Sequence, residues 1–329
     1  MHLFFALPGN EDFTRRLAGA GGWEVGRLET RRFPDGESYV RLHSDVTGRH
    51  VVLVCTLSQP DDGFLRLAFA ADAARSLGAA SVSLVAPYLA YMRQDRRFLD
   101  GEAVTSRAFA RLVSSTFDRL VTVDPHLHRY PCLAAVYSIP TMTLHAAPLL
   151  ADWIAREIEA PLLIGPDEES EQWVAAIAAR IGAPHLVLRK VRHGDRDVEI
   201  DLPEMNSWSL RTPVLVDDIA SSGRTLIEVV RQFLSRGLRR SVCVVVHGIF
   251  AGNAYDELAA LSGRVVSTDS VSHVSNAISL APLIAGAFEV TVGTTPSRRR
   301  RPDVAAGRQA LSETRRAAVG QQVNEGRGQ

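Results

Sequence analysis

Two adjacent carboxylates, Asp217 and Asp218, stand just ahead of Ser221-Ser222-Gly223-Arg224-Thr225, and this stretch carries the densest chemistry in the 329-residue chain. Hydroxyls, small residues and backbone N–H groups at the start of a helix suit a phosphate, because the unpaired amides and the helix dipole both favour an anion. The acid pair suffers mutual repulsion unless a cation or a sugar diol shares it. A ligand with both a phosphate and a diol, such as a ribose phosphate, satisfies both needs. The bland alternative is a capped turn, and the side-by-side acids argue against it.

Other groups leave more than one reading open. His126 and His128, in Asp124-Pro125-His126-Leu127-His128, could hold a metal or be polar loop residues. Asp167 could share that cation or simply belong to an acidic helix start. Arg93-Gln94-Asp95-Arg96 reads as a solvated loop or as a clamp, with arginine forks on polyphosphate oxygens. Lys190 is the only lysine among 37 basic residues, and Arg192 follows close behind. On a mobile segment near a phosphate, the pair could deliver positive charge to a transferring phosphoryl group; otherwise it is surface charge.

These residues need strands and helices to position them. Short β-branched runs predict buried strands at 2–7, 51–55, 81–85, 120–123, 162–164, 214–216 and 241–246. Helices are predicted from an N-cap at Asn10 to about Ala18, from Pro60 to Leu77, over 103–115 with an apolar face at Val104, Ala108 and Leu112, over 147–157, to about Ile181, and over 225–236. A hairpin turns at Phe33-Pro34-Asp35-Gly36-Glu37. Strands alternating with helices predict an α/β fold with doubly wound parallel sheets, whose ligands sit at the carboxyl ends of strands. Asp124, His126, Asp167 and the Asp217-Asp218 pair all fall at predicted strand ends. The order strand, loop, helix, glycine, strand occurs in both halves of the chain. Residues 190–211 lack a clear period and read as a mobile loop with room for a short hairpin.

Composition narrows the class. Thirty-seven basic and 37 acidic residues cancel, giving no global field for nucleic acid. Three widely spaced cysteines form no CxxC, which fits a reducing cytoplasm and no zinc site. The first residues lack a basic n-region, and no apolar run approaches a membrane span. There is no Walker A loop, GxSxG, HExxH or GxGxxG. From Pro296 onward eight arginines face three acids, which reads as a basic, poorly ordered tail.

Taken in order, RRFPDGESYVRL (31–42), PYLAYMRQDRRF (87–98), VTVDPHLHR (121–129), GPDEES (165–170), RKVR (189–192), LVDDIASSGRT (215–225), HGIFAGNA (247–254) and STDSV (267–271) resemble the ribose-phosphate diphosphokinase (phosphoribosyl diphosphate synthetase) family. The resemblance spans residues 1–295. It implies two phosphoribosyltransferase-like domains, 1–145 on the ATP side and 146–295 on the ribose 5-phosphate side, each a mostly parallel sheet flanked by helices. The implied activity moves the diphosphoryl group of ATP to the carbon-1 hydroxyl of ribose 5-phosphate with Mg²⁺, releasing AMP. By motif it assigns ATP binding to Phe33, Asp35, Gly36, Glu37, Arg93, Gln94, Asp95 and Arg96. Ribose 5-phosphate falls to Asp217, Asp218, Ser221, Ser222, Gly223, Arg224 and Thr225, metal to His126 and Asp167, and the catalytic loop to Lys190 and Arg192. Members are homo-oligomers, dimer to hexamer, in which the Asp35 hairpin completes a neighbour's ATP site.

Three departures mark a divergent branch: Ser221-Ser222 where Asp-Thr is commonest, Glu169-Ser170 where the family has Gly-Gly, and Lys190-Val191-Arg192 for Lys-Arg-Arg. Two rival readings remain. A phosphoribosyltransferase would not need the RQDR and FPDGE segments, and a catalytically silent regulatory subunit would not need to retain Lys190.

Overall fold

The computed structural model describes residues 1–192, 198–201, 208 and 210–289. The expectations for the arginine-rich tail, and for much of the 190–211 loop, lie outside the described residues. The N-terminal half runs β1 (His2–Ala6), α1 (Glu11–Ala20), β2 (Glu24–Val25), β3 (Leu28–Arg32), β4 (Ser38–Leu42), β5 (His50–Val54), α2 (Pro60–Ser76), β6 (Ser81–Ala86), α3 (Thr105–Thr116), β7 (Arg119–Val123) and β8 (Thr141–Leu144). The C-terminal half runs α4 (Ala147–Glu157), β9 (Pro161–Gly165), α5 (Glu171–Ile181), β10 (His185–Val187), β11 (Arg189–Arg192), β12 (Val198–Asp201), β13 (Thr212–Ala220), α6 (Arg224–Ser235), β14 (Val242–Gly248), α7 (Ala254–Leu261), β15 (Arg264–Thr268), β16 (Asn276–Ile278) and α8 (Ala281–Glu289).

The central strands are apolar along their length because a parallel sheet is covered on both faces. One sheet has the order β2-β1-β5-β6-β7-β8 and the other β10-β9-β13-β14-β15-β16, with every neighbouring pair parallel. The two are the same topology. Each also interposes an antiparallel hairpin, β3–β4 or β11–β12, at the same point in its strand sequence. The segments carrying FPDGE and RKVR are thus topological counterparts, an equivalence no sequence repeat discloses.

Strand order reverses between β1 and β5 and again between β9 and β13, and such a reversal opens a crevice at the carboxyl ends. In the first sheet Asn10 fills it. Its side-chain amide donates to the Leu7 and Pro8 carbonyls at 3.3 and 3.2 Å and accepts from the Thr56 amide at 2.8 Å. The Thr56 hydroxyl in turn donates to the Ser270 carbonyl of the other half at 2.6 Å. In the second sheet the matching positions carry Asp167, Asp217 and Asp218, all partly exposed.

Several local expectations are corrected. Asn10 stands at the start of α1 but makes no side-chain cap, being occupied by Thr56. The buried face of α3 is Ser106, Phe109, Ala110 and Val113, whereas Leu112 is 51% exposed; the apolar stripe lies one residue further on than Val104, Ala108 and Leu112 suggest. Strand β13 does not stop at Val216 but runs through both acids to Ala220, because β14 continues to pair with it as far as Ala220↔Gly248. Within 190–211, Arg189–Arg192 and Val198–Asp201 form a hairpin with Lys190 opposite Ile200.

The two halves share a core. Phe4 of β1 stacks on Trp23 with ring centroids 5.0 Å apart, and Phe288 of α8 meets Phe4 at 5.5 Å and Trp23 at 5.7 Å, both edge-on. The C-terminal helix is therefore pinned to the N-terminal sheet. Truncating fully buried Phe288 to alanine removes that wedge and leaves a cavity, so Phe288→Ala lowers stability by about 3–5 kcal/mol. Urea denaturation checks this as a fall in the transition midpoint at unchanged slope.

Candidate active site

The site grows from the turn after β7. Asp124 has φ +34° although it is not glycine and precedes a proline, a conformation that persists only where neighbours over-determine it. They do. Its amide donates to the Leu144 carbonyl at 3.0 Å, Oδ1 accepts from His145 Nδ1 at 2.8 Å, and Oδ2 accepts from the Ala146 amide at 2.7 Å. This aims the next polar residue, His126, at the other half, where its Nδ1–H donates to Asp218 Oδ2 at 3.0 Å. Burial works to raise the Asp218 pKa, but the bond from His126 and the nearby His126 and His247 rings outweigh it and hold it below the ordinary carboxylate value.

The bond between Asp124 and exposed His145 raises the His145 pKa above its ordinary 6.5. A raised value means that this contribution to stability is fully present below pH 6.5 and is lost as pH rises through the folded value. His145→Ala therefore costs more stability at pH 6 than at pH 9, which chemical denaturation at the two pH values measures.

On the strand beside the site, Asp217 Oδ1 accepts from the Asp218 amide at 3.0 Å, which fixes its carboxylate. The chain then turns through Ser221 and Ser222 into α6. Gly223 starts that helix at φ +66°, a backbone conformation that favours glycine. No side chain caps α6, so its first amides are left to solvent or to a ligand. Ser222 and Arg224 are exposed, and Ser221 and Thr225 are partly so. Asp167 follows β9 in a tight turn. Its carbonyl accepts from the Ser170 amide and hydroxyl at 3.1 and 2.5 Å, and the Ser170 side chain occupies the space a Cβ at Gly165 would need.

The loop before α3 comes to the same place. Burial raises the pKa of the Tyr88 hydroxyl, Arg93 opposes the rise and Asp218 adds to it, so both charges lie within electrostatic reach of that hydroxyl. The Arg93 side chain is exposed, while Gln94 Oε1 accepts from the Thr105 hydroxyl at 3.2 Å. Asp95 has a different place from its neighbours. Its side chain is 1% exposed and ion-paired to Arg129 at 2.7 Å, so the carboxylate ties this loop to the segment after His126. Arg96 lies over the Phe98 ring at 5.0 Å. Phe33, Asp35, Gly36 and Glu37 form the exposed tip of the β3–β4 hairpin, closed by bonds from the Phe33 amide to the Glu37 carbonyl (2.8 Å) and from the Gly36 amide to the Phe33 carbonyl (2.9 Å). Arg31 lies over the Phe33 ring at 4.5 Å.

The donors present limit what metal could bind. Among the described residues no three or more His, Cys, Asp or Glu side chains form a metal-holding cluster. His126 with the carboxylates beside it fits an ion that keeps water and arrives with phosphate oxygens, as Mg²⁺ does. Cys55 and Cys243 are buried, with pKa values pushed up to about 12 by desolvation, whereas Cys132 is exposed. The sequence alone did not single out Tyr88, His145, His247 or Ser270. All four are ordinary residues whose partners become visible only in three dimensions.

Comparison with known proteins agrees with this architecture. Residues 2–116 match the family model described as the N-terminal domain of ribose phosphate pyrophosphokinase, and residues 134–305 match the phosphoribosyl transferase domain. The chain is 36% identical over 279 residues to a ribose-phosphate pyrophosphokinase of Methanopyrus kandleri, covering 84% of this chain and 94% of that one. It is 32% identical over 288 residues to the protein of that name from Methanosarcina acetivorans, covering 86% and 97%. In fold it is similar to the crystal structure of phosphoribosylpyrophosphate synthetase from Mycobacterium smegmatis, with a TM-score of 0.76 at 21% identity over 89% of this chain and 99% of the other. Both halves match in sequence and in order, and the fold agrees with them: the chain belongs to the ribose-phosphate pyrophosphokinase family.

Proposed function

We propose that the chain transfers the diphosphoryl group of ATP to the carbon-1 hydroxyl of ribose 5-phosphate, giving phosphoribosyl diphosphate and AMP. The observation that carries this is the 3.0 Å bond between His126 and Asp218, which joins the turn of the nucleotide-side half to the loop suited to a ribose phosphate. A plain phosphoribosyltransferase needs only the second of these. The carbon-1 oxygen forms a bond to the β-phosphorus while the bond from that phosphorus to the α–β bridging oxygen breaks, AMP leaves with that oxygen, and the hydroxyl proton is released. Little covalent chemistry falls to the protein, so positioning and charge carry the catalysis.

On this reading the uncapped start of α6, with Ser221, Ser222, Gly223, Arg224 and Thr225, holds the 5-phosphate, and Asp217 and Asp218 hold the ribose hydroxyls. Arg93, Gln94 and Arg96 bind ATP with Phe33, Asp35, Gly36 and Glu37, while Asp95 braces their loop through Arg129. Lys190 and Arg192 bring positive charge to the transferring group. His126 and Asp167 would hold the Mg²⁺ that accompanies ATP, and the ion would supply neutralisation of phosphate charge. The exposed hairpin tip supports a homo-oligomer in which this hairpin completes a neighbour's ATP site. Three free cysteines support a cytoplasmic location, and no helix among the described residues is long and apolar enough to cross a membrane. The domain division at 145/146 falls between β8 and α4, with the two domains sharing the Phe4–Trp23–Phe288 core.

The test is to incubate the protein with ATP, Mg²⁺ and ribose 5-phosphate and identify the nucleotide product. AMP supports diphosphoryl transfer, ADP indicates an ordinary kinase, and no turnover favours a regulatory subunit.

A further inference from the structure

His247, near the end of β14, is 1% exposed, yet both of its ring nitrogens have partners. Nε2 lies 3.2 Å from the Asp124 carbonyl oxygen and Nδ1 lies 2.9 Å from Ser270 Oγ. A carbonyl can only accept, so Nε2 carries the proton. Desolvation holds the ring below its ordinary pKa and therefore neutral, which makes Nδ1 an acceptor and the Ser270 hydroxyl its donor. That hydroxyl is also 3.1 Å from the Val246 carbonyl, but the Thr268 hydroxyl already serves that carbonyl at 2.7 Å. The tautomer is thus set by the Asp124 carbonyl, and a serine in the STDSV segment satisfies the remaining nitrogen.

The bond to Asp124 completes a circuit. Two of the other contacts that hold the strained Asp124 come from its own half, at Leu144 and His145, and the third is the backbone amide of Ala146 at the boundary between the halves. Among the described residues, His247 is the one side chain that reaches it from the C-terminal half. Two residues beyond Asp124, His126 bonds to Asp218; the next residue, Ile219, pairs in sheet register with His247 itself. The circuit crosses between the halves twice, once through His126–Asp218 and once through His247–Asp124. Tyr88, whose hydroxyl lies within electrostatic reach of Arg93 and Asp218, packs edge-on against the His247 ring at 5.1 Å, which brings the Arg93 loop into the same unit.

We propose that His247 is a positioning residue for the transfer, fixing the angle between the His126 turn and the Asp217–Thr225 loop through the Asp124 carbonyl. The inference rests on the function proposed above. Each substrate has its own loop, so losing the His247 link leaves both able to bind. What is lost is their mutual alignment, and a misplacement of about 1 Å can cost about 100-fold in rate.

Steady-state kinetics of His247→Leu and His247→Gln test the role. The leucine variant, lacking any donor, is expected to show kcat about 10- to 100-fold below wild type, with KM for ATP and for ribose 5-phosphate within about threefold. The glutamine variant keeps an amide donor toward Asp124 and should recover most of that loss. Wild-type kcat in the leucine variant, a rise in either KM at unchanged kcat, or no recovery with glutamine overturns the proposal. Nitrogen-15 NMR of the wild-type histidines keeps the idea falsifiable if the leucine variant does not fold. A neutral His247 protonated at Nε2 is the expected result, and protonation at Nδ1 overturns the link to Asp124. A wild-type protein that forms no AMP overturns the functional reading and the role together, a result distinct from an active wild type with an indifferent variant.

Discussion

Lys190→Ala lowers kcat by two to three orders of magnitude while leaving ATP binding largely intact. A preorganised positive group aimed at charge that develops in the transition state contributes about 3–4 kcal/mol, and its loss appears in kcat. Lys190 is the only lysine in a chain whose other 36 basic residues are arginine, so composition alone would have placed an arginine there. Its backbone lies in the β11–β12 hairpin opposite Ile200, at the topological position that β3–β4 holds in the other half. A hairpin standing apart from the main sheet suits a group that must approach a bound phosphate. Lys190→Arg should not restore activity, because a planar guanidinium does not reproduce a compact ammonium. Turnover measured beside calorimetric ATP binding separates the outcomes, and unchanged turnover in the alanine variant removes the role assigned to Lys190.

The second large effect belongs to Asp217. Its carboxylate is fixed by the Asp218 amide and lies in the second half of β13, a strand flanking the reversal of strand order. Hydrogen bonds from sugar hydroxyls to a charged acceptor contribute about 1.5–3 kcal/mol, which corresponds to roughly 10- to 100-fold in affinity. Asp217→Ala should therefore raise KM for ribose 5-phosphate by that factor and leave KM for ATP within about twofold. An equal rise in both constants would mean that the substitution disturbs the whole site and would contradict a specific role in holding the sugar.

How much of this was legible in the sequence depends on the range of the interaction. Strand cores and the loops that follow them are local patterns, so Asp124, Asp167 and Ser221–Thr225 were recognisable as residues at the ends of strands. The length of β13 was not, because two charged residues inside a strand are read as its end until β14 is seen pairing alongside them. The buried face of α3 was misread by one residue, since Ser106 and Ala110 carry little hydrophobic signal yet lie against the core. Strands β8, β10, β15 and β16 were missed; β8, β10 and β16 are short and lie at sheet edges. The contacts that organise the site escaped entirely: His126 meets Asp218 across 92 positions and His247 meets Asp124 across 123. Asp95 belongs with them: its carboxylate is buried against Arg129, 34 positions away, a partner its charged run does not disclose.

The central claim is that two halves of one topology bring a nucleotide and a ribose phosphate together for direct diphosphoryl transfer. Phosphorus-31 NMR of a single turnover with ATP, Mg²⁺ and ribose 5-phosphate tests it most directly. The account predicts that the ATP signals give way to AMP together with a coupled pair of diphosphate resonances on a sugar that keeps its 5-phosphate. ADP with a singly phosphorylated carbon 1, or free diphosphate with no new sugar signal, would contradict it.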